Sequence, residues 1–161
     1  MIDSLENNQK QQTLKKDIKF SGIGLHTGKY ANVTIKPCDE NTGIVFLRSD
    51  IKKNNKIYAL WKNVTSTVLS TTISNDNNVS VSTIEHLMSA FSGMHIDNAL
   101  VVIDSPEIPI MDGSSEPFVK LIEKAGIKIQ NSKRKIIEII KEIKVSKEDS
   151  FVKISPNKEF S

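Results

Sequence analysis

The chain has 161 residues, 38% hydrophobic and 25% charged, which suits one domain or one domain with part of a second and allows a core without disulfide or metal staples. Its 22 Lys and Arg against 19 Asp and Glu leave a net charge of +3, only Arg48 and Arg134 are arginine, and the lysines are dispersed from Lys10 to Lys158. That dispersal argues against a nucleic-acid surface, which gathers its basic residues and interleaves them with aromatics. The single cysteine, Cys38, excludes a disulfide framework and a Cys-based zinc site, so a reducing, cytoplasmic compartment is expected. The polar start lacks the apolar stretch of a signal peptide, and no apolar run is long enough to cross a bilayer.

In chain order, residues 1–12 read as a frayed arm without apolar periodicity. Residues 13–20 form a first expected strand, and Ala31, Val33 and Ile35 alternate with polar neighbours in a second. Residues 43–49 (GIVFLRS) read as a third, residues 64–73 as a fourth, and 75–78 as a turn leading to a return strand at Val79 and Val81. The period then changes: Ile84, Leu87, Met88 and Phe91 mark one helical face, with Gly93 at its end. Residues 99–103 are a continuous apolar run, read as a buried strand. A loop with Pro106, Pro109 and Gly113 precedes a second helix carrying Phe118, Leu121, Ile122 and Ala125, started by Ser115 and Pro117 and stopped at Gly126. Residues 127–134 read as a linker. The Ile-rich stretch from Ile136 to Val145 and the alternation around Phe151 read as a β-hairpin turning at 146–150.

The fold class expected is α+β: a two-layer sandwich of a small, mostly antiparallel sheet with two helices on one face. The expected division is an arm at 1–12, a first α+β domain at 13–131 and the beginning of a second at 132–161, since a lone hairpin is no stable unit.

Three segments carry residues suited to chemistry. Residues 22–28 (GIGLHTG) space their glycines as G-x-G-x-x-x-G and precede a strand pattern, so a phosphate cradle is excluded on context. A hairpin turn is the simple reading, and His26 between glycines is also able to project into a cleft and act near neutral pH. In residues 82–87 (STIEHL), Ser82 and Glu85 match a capping box, while His86 points nearly opposite to the helix's apolar face, toward solvent or a cleft. An adjacent Glu and His in a first turn suit a general base beside a metal ligand, but the position four residues beyond His86 is Ala90, and His95 lies past Gly93. Residues 105–114 (SPEIPIMDGS) form a Pro-stiffened acidic loop with a turn at Asp112 and Gly113.

In their order and spacing, GIGLHTG, TIEHL and PEIPIMDGS together resemble the UDP-3-O-acyl-N-acetylglucosamine deacetylases, zinc enzymes of early lipid A synthesis in Gram-negative bacteria; the run 41–50 (NTGIVFLRSD) fits as well. The resemblance covers nearly the whole chain. It implies two similar α+β domains with the active site between them, and hence that residues 132–161 open the second domain with a hairpin. It implies zinc as cofactor, His86 as a zinc ligand, Glu85 as the catalytic base, His26 in support at the rim of the site, and Asp112 beside the substrate. The substrate implied is UDP-3-O-acyl-N-acetylglucosamine, losing its N-acetyl group as acetate. A His and an Asp four residues apart complete the family's zinc set late in the second domain, and this chain's only histidines are His26, His86 and His95. The chain is therefore expected to be an incomplete fragment, inactive alone and dependent on a missing C-terminal domain. The alternative is a non-catalytic two-layer α+β module that binds RNA or protein, against which the dispersed lysines argue.

Overall fold

The computed structural model describes residues 10–157. Its centre is a five-stranded sheet in the order β2 (Ile18–Ile23), β3 (Tyr30–Pro37), β9 (Ala99–Ile103), β4 (Ile44–Arg48), β5 (Lys56–Tyr58). Every pairing is antiparallel except β4 with β9. The register explains why these segments are strands. Ile18, Ile35, Val101, Phe46 and Ile57 are cross-strand partners in one continuous row, one from each strand, and all are buried. Successive strand residues face opposite sides, so this row commits one whole face of the sheet to the core.

Helices α1 (Glu85–Gly93) and α2 (Glu116–Ala125) cover that face. Leu87, Ala90 and Phe91 of α1 and Phe118, Ile122 and Ala125 of α2 join the sheet residues in a single cluster. Phe118 meets Phe20 of β2 edge to face, with ring centroids 5.4 Å apart. Pro117 stands in the first turn of α2, where its missing N–H costs nothing, and Gly126 ends the helix at φ +78°. The architecture is the α+β sandwich expected.

Several elements differ from the sequence expectation. The strand expected at 13–20 is two: β1 (Lys10–Leu14) and β2, separated at Lys15, Lys16 and Asp17, whose charged side chains stay in water. Of the arm expected at 1–12, residues 1–9 lie outside the described residues, whereas Lys10, Gln11 and Gln12 belong to β1. Residues 127–134, expected as a linker, contain β10 (Ile127–Lys133), which pairs antiparallel with β1. The strand expected at 64–73 divides into β6 (Val64–Ser66) and β7 (Thr72–Ser74), with Leu69 at φ +63° in the connection; β7 then pairs with β8 (Ser80–Val81) across the expected Asn turn. β5 and the short 3-10 turn at Trp61–Asn63 were not foreseen. The hairpin forms as β11 (Ile143–Lys147) and β12 (Ser150–Ile154), but its first strand starts seven residues later than Ile136, and every residue of both strands is exposed.

A buried amide joins the β1–β10 ribbon to the main sheet. Asn98, 1% exposed, accepts from Gly43 N–H at 2.8 Å and donates to Gln11 Oε1 at 2.9 Å and Gln130 Oε1 at 2.8 Å. Its backbone carbonyl accepts from Thr13 Oγ1 at 2.6 Å. Each amide hydrogen and oxygen is thus used, which is the condition for placing such a group out of water. Asn98→Leu is expected to strand the Gly43 N–H and Gln130 Oε1, while Gln11 Oε1 keeps the Asn41 N–H at 2.8 Å, costing on the order of 3 kcal/mol, read as a lowered urea midpoint.

Candidate functional site

The three motif segments meet at one side chain that none of the sequence arguments singled out. Glu107 is 0% exposed, and its carboxylate accepts four hydrogen bonds. Oε1 takes the backbone N–H of His26 at 3.0 Å and Thr83 Oγ1 at 2.8 Å. Oε2 takes the backbone N–H of Thr27 at 2.8 Å and Thr27 Oγ1 at 2.7 Å. One carboxylate therefore ties the Pro-stiffened loop to the glycine-rich turn and to the segment leading into α1. Burial alone pushes this carboxyl upward, but the bonds from His26, Thr27 and Thr83 outweigh it and hold the group below the usual carboxylate range.

The glycines of the turn make room for this arrangement. A Cβ on Gly24 falls 2.4 Å from Glu107 Oε2 and 2.7 Å from Thr27 Oγ1, and one on Gly22 falls 3.0 Å from Pro109 Cβ. Backbone bonds complete the seam: Ile110 N–H donates to Ile23 O, Ser82 N–H to Pro106 O, and Ile108 N–H to Ser82 O.

The expected capping box does not form. Helix α1 begins at Glu85, with Ile84 at its N-cap in helical conformation and Thr83 at φ +55°. Ser82 is spent one step earlier, its N–H and Oγ both donating to Pro106 O. Glu85 instead accepts from the backbone N–H of Thr71, at 3.0 Å to Oε2. His86 is half-buried, and Leu87, Ala90 and Phe91 take the core face as the periodicity predicts.

His26 lies exposed on the turn between β2 and β3, held by its backbone while its imidazole stays in water. Asp112 is exposed; its Oδ1 accepts from Ser114 N–H at 2.9 Å and Ser114 Oγ at 2.8 Å, bonds that hold its carboxyl below the usual range. Ser114 Oγ in turn accepts from Glu116 N–H at 3.1 Å, so Asp112 and Ser114 shape the entry to α2. His95 stands exposed just past α1, at φ +56°. Glu107 brings the backbones around His26 and Glu85 together; Asp112 sits further along the same loop, without a hydrogen bond to either. Among the described residues, no group of three or more His, Cys, Asp or Glu side chains converges as a metal site.

Glu107 had one legible signal: an acidic residue between Pro106 and the apolar Ile108, in a stretch otherwise short of charge. Thr27, Thr71 and Thr83 had none, because their roles depend on which segments meet.

A two-layer α+β domain with a Glu–His pair opening a helix, gathered against a glycine-rich turn, defines the class of molecule. Comparison with known families narrows it. The profile of the UDP-3-O-acyl N-acetylglycosamine deacetylase (LpxC) family matches residues 11–161, and the chain belongs to that family. Among similar curated proteins, the UDP-3-O-acyl-N-acetylglucosamine deacetylase of Shewanella halifaxensis is 44% identical over 150 residues, covering 93% of this chain and 49% of the relative. Those of Hamiltonella defensa and Syntrophus aciditrophicus are 42% and 41% identical, covering 91% and 93% of this chain and 48% and 47% of theirs. The chain thus spans about half the length of the curated relatives it matches.

Two outcomes follow from the Glu107 cluster. Gly24→Ala is expected to force the carboxylate off its donors and lower the thermal midpoint by several degrees, with the loss concentrated in this loop seam by amide hydrogen exchange. Because the folded carboxyl sits below its unfolded value of about 4.3, its contribution is complete above that pH and is lost as pH falls through the folded value. Urea unfolding across the acid range is expected to show a slope that Glu107→Gln reduces.

Proposed function

We propose that this chain supplies part of the active site of a zinc-dependent deacetylase, which removes the N-acetyl group of UDP-3-O-acyl-N-acetylglucosamine in cytoplasmic lipid A synthesis. The observation that carries this reading is the adjacency of Glu85 and His86 in the first turn of α1, in a chain of this family and drawn toward the His26 turn by a shared carboxylate.

A catalytic zinc takes three protein ligands and leaves one position open. The described residues do not fit that requirement by themselves, since no such group of donors converges among them. His86, half-buried and on the side of α1 away from the core, is the one ligand we assign to this chain. The remaining ligands we assign to the half of the relatives' length that the chain does not span, with β11 and β12 as the opening of a second domain.

The chain's own chemistry then rests on Glu85. The Thr71 N–H fixes Oε2, orienting the carboxylate and leaving Oε1 to take the proton of an attacking water as the amide carbon becomes tetrahedral. His26, exposed beside a rigid backbone, is suited to hydrogen-bond the developing charge at the rim of the site. Asp112, ionised and exposed, is suited to accept from substrate hydroxyls.

In the full-length protein, Glu85→Gln is expected to keep its zinc and lose at least about 100-fold in turnover, whereas His86→Ala loses the zinc itself. Metal content and acetate release measured on the same preparations check both; wild-type turnover in Glu85→Gln overturns the base assignment. The 161-residue chain alone is expected neither to release acetate nor to hold stoichiometric zinc through dialysis.

A further inference from the structure

The buried carboxylate of Glu107 has more built into it than a staple requires. Each of its oxygens receives one backbone N–H and one hydroxyl: His26 N–H with Thr83 Oγ1 on one, Thr27 N–H with Thr27 Oγ1 on the other. Hydroxyls can rotate to donate or accept, but a backbone N–H only donates. A glutamine in this position turns its NH2 toward a backbone N–H whichever way the amide is flipped. A side chain of this size that satisfies all four partners must accept at both oxygens, and a carboxylate does so.

The identity of the partners is the second point. One of the two backbone groups belongs to His26 itself, and Thr83 stands two residues before Glu85 at a left-handed φ of +55°. Gly24 lacks a Cβ where one would overlap this carboxylate. The loop bearing His26 and the entry to α1 are therefore registered against each other through one group, with no slack for a side chain between them.

We infer that Glu107 is a positioning residue for the reaction: it fixes the His26 turn against the segment leading into Glu85 and His86, and acts on turnover through His26. This rests on the deacetylase reading above. If Glu107 only held the fold together, its loss would lower stability and leave the catalytic effect of His26 independent of it.

The test is a double-mutant cycle on the full-length protein, with acetate release from UDP-3-O-acyl-N-acetylglucosamine as the assay. Glu107→Gln is expected to lower kcat by about 10- to 100-fold with little change in KM and unchanged zinc content. In a His26→Ala background the same substitution is expected to cost less than about twofold, because the group it positions is gone. Hydrogen exchange at the His26 and Thr27 amides is expected to accelerate in parallel. If Glu107→Gln fails to fold, Thr83→Val removes one bond of the four at similar shape and enters the same cycle, with Thr83→Ser, which keeps the hydroxyl, restoring turnover. Fully multiplicative losses of kcat in the cycle overturn this proposal while the deacetylase reading stands. A wild-type protein that releases no acetate overturns both.

Discussion

An ionised carboxylate with no surface exposed to water is expensive to keep unless hydrogen-bond donors or an opposite charge surround it. Glu107 meets that condition with groups drawn from three separate stretches of the chain. The requirement runs in both directions. The glycine-rich turn must close tightly enough to present two N–H groups to one carboxylate, and the proline-flanked loop must stay rigid enough to deliver it. Gly24 is forced by the first demand, and the second accounts for Pro106 and Pro109 on either side of Glu107 and Ile108.

This local constraint is supported by the layer beneath it. The loop starts where β9 ends, and β9 is the sheet's middle strand, paired with β3 on one side and β4 on the other. The glycine-rich turn joins β2 to β3 at the same end, since Val33 of β3 lies opposite Ile103. α1 packs Leu87 and Phe91 into the same core. The meeting of the three motifs is thus a property of sheet register: a one-residue slip of β3 against β9 would turn the core row into solvent and carry the turn away from Glu107.

Much of this was legible in the sequence because it rests on periodicity. Ala31, Val33 and Ile35 alternate in β3, and Ile84, Leu87 and Phe91 recur along α1, and both patterns reappear as buried faces. The motifs also named Glu85, His86 and His26 as residues worth attention. What stayed hidden was pairing over long separations. Ile127 and Ile129 alternate as a strand does, but the partner is β1, more than a hundred residues earlier, and the ribbon they form is tied to the main sheet by a polar network around Asn98 that no hydrophobic pattern records. The capping box failed for a related reason: Ser82 and Glu85 had the right spacing, but Pro106 and Thr71 claimed them first. Glu107 escaped notice because a charged residue in a loop reads as solvated until its burial is seen.

The hairpin formed by β11 and β12 has a consequence for handling the protein. Val145, Phe151 and Val152 are exposed on a sheet that has only these two strands among the described residues, and exposed apolar side chains beside open strand edges recruit further strands from other molecules. What opposes this is charge: Lys144 and Lys147 place cations on β11, while Lys153 on β12 is paired with Glu142 at 2.8 Å. Lys144 lies 4.3 Å from the centre of the Phe151 ring, shielding the largest apolar side chain of the pair. Colloidal behaviour should therefore depend on ionic strength in the sense opposite to ordinary salting-in. Near 1 M salt, where the screening length shrinks to about 3 Å, the repulsion contributed by Lys144 and Lys147 fades while the attraction between the exposed apolar side chains persists, which favours self-association.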